Sequence, residues 1–242
     1  LLAETQKAGI DGVISVQASQ TLDETDFLNN YAKQHDFIKG VVGWVPFADP
    51  DVEKYIERFA EEPKIIGMRH VVQDEPDDAF ILEKAFNEGI SRLKKHDLIY
   101  DILIYERQLA PTIEFVDQHP EQVFVLDHIA KPRIGDGLIS PWKEKMLELA
   151  QRENVYCKLS GVATEADWSK WTEGQLLPYL EIALEAFGPT RMMFGSDWPV
   201  ALLAIEYSQW ISIVDKFASV LSESEKALLW GEVAVQAYGL KI

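Results

Sequence analysis

The stretch Val123-Phe124-Val125-Leu126-Asp127-His128-Ile129-Ala130-Lys131-Pro132 joins a short apolar run to an Asp-His pair and closes on Lys-Pro. A run with no polar alternation suits a strand buried on both faces, as in a parallel sheet. The same design recurs at 13–17, 40–47, 65–72, 99–105, 155–159 and 192–194. The starts lie roughly 30 residues apart, which leaves room for one helix between successive strands.

The intervening segments carry helical signals. Thr21-x-x-Glu24 and Ser222-x-x-Glu225 read as capping boxes. Asp49-Pro50 and Ser140-Pro141 place a capping residue before a proline at the first helical position. Val52, Tyr55, Ile56 and Phe59 then follow at helical spacing, as do Met146, Leu147 and Leu149. Further helices are expected near 78–95, 107–118, 175–187 and 206–219. Neither a composition shift nor a Pro/Gly/Ser linker divides the chain, so 1–242 reads as a single α/β domain.

Two architectures fit this pattern, a (β/α)8 TIM barrel and an open doubly wound sheet. No Gly-x-Gly-x-x-Gly follows a strand and no Gly-Lys-Ser/Thr occurs, so both nucleotide loops are excluded. Seven strand-like runs fall one short of a barrel. Residues 1–9 read as a helix feeding the strand at 13–17. The expected fold is therefore a TIM barrel whose first strand lies upstream of Leu1, with the open seven-stranded sheet as the alternative.

The 242 residues carry 23 basic and 40 acidic side chains, a net charge of −17. Such a field repels nucleic acid and anionic lipid, and neither partner is expected. No apolar run is long enough to span a membrane. The single cysteine, Cys157, excludes a disulfide framework and suits a reducing cytoplasm. Outward helix faces show no apolar seam, and the sequence sets no oligomeric state.

Chemistry is expected at the carboxyl ends of the strands. There the chain places Arg69-His70-Val71-Val72-Gln73, Asp127-His128, Lys158-Leu159-Ser160-Gly161 and Gly195-Ser196-Asp197-Trp198-Pro199. Asp197, at a strand mouth, is a candidate base toward water or a metal ligand, against the plainer reading of a turn residue. Strand alternation lets only one of Asp127 and His128 face the barrel axis. Arg69, Lys131, Arg133 and Lys158 reverse the local sign of charge, which suits an anionic substrate group unless each is paired with a carboxylate. The segments 131–142 and 161–174, with Leu138, Trp142, Trp168 and Trp171, are candidates for a pocket rim.

Taken together, Gly67–Gln73, Leu126–Pro132, Lys158–Gly161 and Gly195–Pro199 resemble the amidohydrolase-related TIM-barrel hydrolases, in the branch of sugar-lactone and pyrone-dicarboxylate lactonases. The resemblance implies a lactone hydrolase acting on a small anionic or sugar-derived substrate. Asp197 would activate water and His128 would polarise the carbonyl. Arg69, His70 and Gln73 would hold the substrate, and Lys158 and Trp198 would line the pocket. One divalent ion, zinc first, would take His128 and Asp197 as ligands, with the rest upstream of Leu1; some relatives hydrolyse lactones without metal. The chain departs from the family in having no His-x-His, no His or Lys in 99–105, and Val233 where relatives place Asn. The alternatives are a metal-dependent decarboxylase on the same scaffold and a catalytically silent barrel used for binding or assembly.

Overall fold

The computed structural model describes residues 1–241. Seven strands form one sheet: β1 (Val13–Val16), β2 (Ile38–Gly43), β3 (Ile65–Val71), β4 (Ile99–Leu103), β5 (Phe124–Leu126), β6 (Val155–Leu159) and β7 (Met192–Phe194). All neighbours pair in parallel, and the spatial order β1 to β7 is the chain order. A doubly wound sheet reverses its order at a switch point. No reversal occurs, so the sheet is the curled wall of a TIM-type barrel with β1 and β7 at its edges.

The helices are α1 (Leu2–Lys7), α2 (Leu22–Gln34), α3 (Val52–Ala60), α4 (Lys84–Ile90), α5 (Leu109–Gln118), α6 (Trp142–Leu149), α7 (Glu173–Phe187), α8 (Tyr207–Phe217), α9 (Glu223–Ala227) and α10 (Val233–Tyr238). Amphipathic spacing accounts for their docking. Val52, Ile56 and Phe59 of α3 are buried in the main core between sheet and helices. There, Tyr100 of β4 sits fully buried among Phe47, Phe86, Phe115 and Phe124 in edge-on aromatic pairs. Such pairs add about 0.5–1.5 kcal/mol each to the area they bury. A smaller cluster on the other face of the sheet unites Val42, Ile99, Val125 and Met193 with Val233, Ala237 and Tyr238 of α10. Alternation then carries Asp101, two residues after Ile99, and Lys158, two after Tyr156, onto the same face.

Several boundaries move from their expected places. The run expected at 40–47 pairs as Ile38–Gly43, where the next amide, that of Trp44, donates to Thr25 Oγ1 at 2.8 Å instead of to the ladder. The helix expected at Asp49-Pro50 begins at Val52 with Asp51 at its cap, and the one after Ser140-Pro141 begins at Trp142. The box at Ser222 forms fully. At Thr21 only half forms: its hydroxyl accepts from the Glu24 amide at 3.2 Å, while the Glu24 carboxylate turns to the amides of Ala18 and Ser19. No helix among the described residues is long and apolar enough to cross a membrane.

Candidate active site

β5 stops at Leu126, and the chain then turns left-handed. His128, Ile129, Ala130 and Lys131 have φ of 53°, 47°, 57° and 47°. Each L-residue there costs about 1–2 kcal/mol relative to its ordinary backbone. Burial holds the turn: Ile129 and Ala130 are fully enclosed, the Trp142 indole donates to the Ile129 carbonyl at 2.8 Å, and the Lys131 amide donates to the His128 carbonyl at 2.9 Å. This overturns the alternation expected for Asp127 and His128. Both side chains are buried and both meet groups from the other strand ends.

Asp127 belongs to a closed ionic network. It accepts from Arg69 at 2.8 Å and lies 2.7 Å from the Lys158 ammonium, which also donates to Asp101 at 2.5 Å. The Tyr238 hydroxyl approaches both Asp101 oxygens at 2.9 Å. Arg69 further donates to the Gln17 carbonyl, and the Gln17 amide donates back to the Arg69 carbonyl at 3.0 Å. Two cations and two carboxylates cancel, as buried charges must. Burial pushes the Asp101 carboxyl up to about 6 against the pull of Lys158. Burial acts the same way on Asp127, but the charges of Lys158 and Arg69 prevail and hold it well below the usual carboxylate range.

His128 meets Ser160 and Asp197. Its Nδ1 lies 2.8 Å from Ser160 Oγ, and its Nε2 lies 3.7 Å from Asp197 Oδ1. Burial lowers the imidazole pKa, although Asp197 and Asp127 oppose it, so the ring is neutral near pH 7. A neutral ring that donates from Nε2 accepts at Nδ1, which is the tautomer a Ser160 donor selects. Gly161 makes room for this ring: a Cβ at its φ of +61° would sit 2.7 Å from His128 Nδ1. Asp197 also has a left-handed backbone, φ 52°, just after β7. The Trp210 indole anchors that corner by donating to the Gly195 carbonyl at 2.8 Å.

The remaining sequence candidates separate. His70 is committed: it accepts from the Trp44 indole at 3.2 Å, lies 2.7 Å from Glu75, and stacks on Phe80. Gln73 donates to Asp74 at 3.3 Å, and its Oε1 is buried without a partner. Trp198 is half-buried, with its amide directed to Ser196 Oγ at 3.3 Å. Every cation expected to reverse the local charge has a carboxylate beside it: Asp127 for Arg69, Asp101 and Asp127 for Lys158, Glu165 for Lys131 and Asp136 for Arg133. Of the expected rim, Trp142 and Trp171 turn inward onto backbone carbonyls, whereas Leu138 and Trp168 stay exposed.

One group passed unnoticed in the sequence. Glu165 follows β6 in a short 3-10 turn and faces Lys131 at 3.8 Å. Both line a cavity of about 520 Å³ together with Tyr105, Arg107, Arg133 and Asp136. Burial raises the Glu165 pKa, Lys131 opposes this, and the charge of Asp197 adds to the rise.

A catalytic zinc takes three protein donors and an open position. At the mouth only His128 and Asp197 face each other, and no third His, Cys, Asp or Glu completes a set there among the described residues. Among the described residues one clustered donor set occurs, Glu53, Glu57 and His96, on α3 and the turn before β4, where Lys95 and Arg92 already occupy Glu53. The residues described do not by themselves fit a metal.

Comparison with known proteins agrees with this architecture. An L-fucono-1,5-lactonase of Burkholderia multivorans is 41% identical over 240 residues, covering 94% of this chain and 80% of the relative. Another, from Burkholderia ambifaria, is 34% identical, covering 96% and 81%. The crystal structure of a Burkholderia multivorans amidohydrolase with bound zinc superposes with a TM-score of 0.95 at 39% identity, covering all of this chain and 87% of that one. The amidohydrolase family model matches residues 1–240. With its parallel barrel wall and its His and Asp at the strand mouths, the chain belongs to the amidohydrolase family of hydrolases.

Proposed function

We propose that this protein hydrolyses the ring ester of a sugar-derived lactone, with Asp197 as the base toward water and His128 as the electrophile. The observation that carries the reading is the 3.7 Å gap between Asp197 Oδ1 and His128 Nε2. That distance is too long for a hydrogen bond and leaves both groups free to bind a third oxygen. Asp197 makes no side-chain hydrogen bond among the described residues, so its carboxylate is available as an acceptor.

In this reading a water donates its proton to Asp197 as its oxygen attacks the lactone carbonyl. The developing oxyanion accepts from His128 Nε2–H, whose tautomer is set by Ser160. Collapse breaks the bond to the ring oxygen, and protonated Asp197 returns the proton to that oxygen. The product is a hydroxy acid.

The pairing of Arg69 and Lys158 with carboxylates favours a neutral polyhydroxylated lactone over a dicarboxylate, because neither cation is free to meet a second anion. The lactonase relatives, whose names specify L-fucono-1,5-lactone, support the same class. The test is acid release from a panel of 1,5- and 1,4-sugar lactones and pyrone dicarboxylate, with and without chelator. Asp197→Asn is expected to lower turnover about 10²–10⁴-fold, the share of a positioned general base, with its thermal melt unchanged within a few degrees. Wild-type protein inert on every sugar lactone, or full activity in Asp197→Asn, would refute the proposal. Carbon dioxide release from aromatic acids would favour the decarboxylase instead.

A further inference from the structure

The ionic groups at the mouth divide into two sets. Arg69, Lys158, Asp101 and Asp127 are tied to one another by hydrogen bonds or close ion pairs of 2.5–2.8 Å. Lys131 and Glu165 are not. They stand 3.8 Å apart, beyond hydrogen-bond reach, and their side chains are only 17% and 18% exposed. A carboxylate and an ammonium so enclosed, attracting each other without a hydrogen bond between them, keep hydrogen-bonding capacity for a ligand. The Lys131 ammonium rests 5.3 Å above the Tyr105 ring, which fixes its direction along the cavity wall. Both side chains belong to the strand-end turns that hold the reacting histidine: Lys131 closes the left-handed turn carrying His128, and Glu165 follows Gly161, whose Cα packs against the His128 ring.

The two ends of this pair suit a polyol. A carboxylate offers two acceptor oxygens, which match two neighbouring hydroxyl donors, and an ammonium donates to a hydroxyl or ring oxygen. Building on the lactonase reading, we propose that Glu165, beside Lys131, is the specificity-determining residue that recognises vicinal hydroxyls of the substrate ring. Glu165 takes no part in bond breaking. Its role is to distinguish a sugar lactone from a bare one, because a ring without hydroxyls leaves the half-buried carboxylate unanswered.

The test compares a 1,5-lactone bearing free vicinal hydroxyls with δ-valerolactone, which has the same ring and none. For Glu165→Gln, the ratio of the two kcat/KM values is expected to fall about 10- to 100-fold, the equivalent of one charge-assisted hydrogen bond. The loss should lie mainly in KM. Glu165→Asp, which keeps the charge one methylene short, should fall in between. An unchanged ratio in Glu165→Gln overturns the proposal. Equilibrium binding of 1,5-anhydro-L-fucitol, which has ring and hydroxyls but no carbonyl, reads the same contact without turnover. Weaker binding by Glu165→Gln supports the role even if no lactone is hydrolysed, in which case the catalytic reading alone has failed. Equal binding by wild type and variant refutes it.

Discussion

Replacing Gly161 with alanine tests how the reacting histidine is held. Gly161 has φ +61°, where an L-residue costs about 1–2 kcal/mol. The new Cβ would lie 2.7 Å from His128 Nδ1 and 2.8 Å from its Cγ. Reaching an ordinary contact requires a ring shift of roughly 0.7 Å, and forcing a group into a filled site costs about 1–3 kcal/mol. The total loss of stability is therefore about 2–5 kcal/mol. The shift also pulls Nδ1 away from Ser160 Oγ, now at 2.8 Å, and Nε2 away from its position facing Asp197. A misplacement near 1 Å lowers rate by about 10²-fold. Gly137→Ala isolates the backbone part: its φ is +66° and nothing lies within 4 Å of the added methyl. Urea unfolding and lactone kcat/KM, measured on both variants, separate the two terms. Both variants should lose about 1–2 kcal/mol to backbone strain, and only Gly161→Ala should lose catalysis. If folded Gly161→Ala retains kcat/KM within twofold of Gly137→Ala, the placement of His128 does not matter to the reaction and the mechanism is wrong.

Other outcomes follow from the buried charges. Lys158→Met leaves Asp101 and Asp127 facing each other without their shared ammonium, and breaking a buried pair in this way costs about 3–5 kcal/mol; a loss below about 1 kcal/mol in urea unfolding would show that the network relaxes. Acidification should also destabilise the fold. Burial lowers the pKa of His70, His119 and His128 below the ordinary imidazole value of 6.5, so the unfolded chain binds protons first as pH falls. The stability they contribute is full above 6.5 and is lost as pH drops through their lowered values. Asp101, raised to about 6, acts oppositely at lower pH, so the histidine effect is cleanest above 6. A urea midpoint that stays flat or rises as pH falls from about 7.5 to 6 contradicts this assignment.

The barrel wall was legible because each strand is a compact apolar run between helical segments, and the sequential order follows from that alternation. Element ends were less legible. β2 ends within its apolar run, where the Trp44 amide turns to Thr25, and the prolines at 50 and 141 sit in turns ahead of the helices rather than inside them. The positions of Asp197 and His128 could be read because both close an apolar strand. The state of the cations could not. The partners of Lys158 are Asp101, in mid-strand, and Asp127, beyond a turn whose handedness no sequence spacing betrays. Glu165 lay in a polar loop with no periodicity around it, and only its enclosure beside Lys131 distinguishes it from other surface glutamates.

The left-handed turn after β5 subjects residues 129 and 130 to two opposing filters. Backbone handedness admits glycine, asparagine and aspartate most cheaply. Complete burial of Ile129 and Ala130 rejects the polar pair, and glycine would remove the side-chain packing that closes the turn. Few replacements pass both. Substitution at these positions should therefore be slow among proteins that share the turn, even though neither side chain touches the reacting atoms. Invariance there would record chirality and packing, and a search for catalytic groups by sequence constancy alone would count these two residues wrongly.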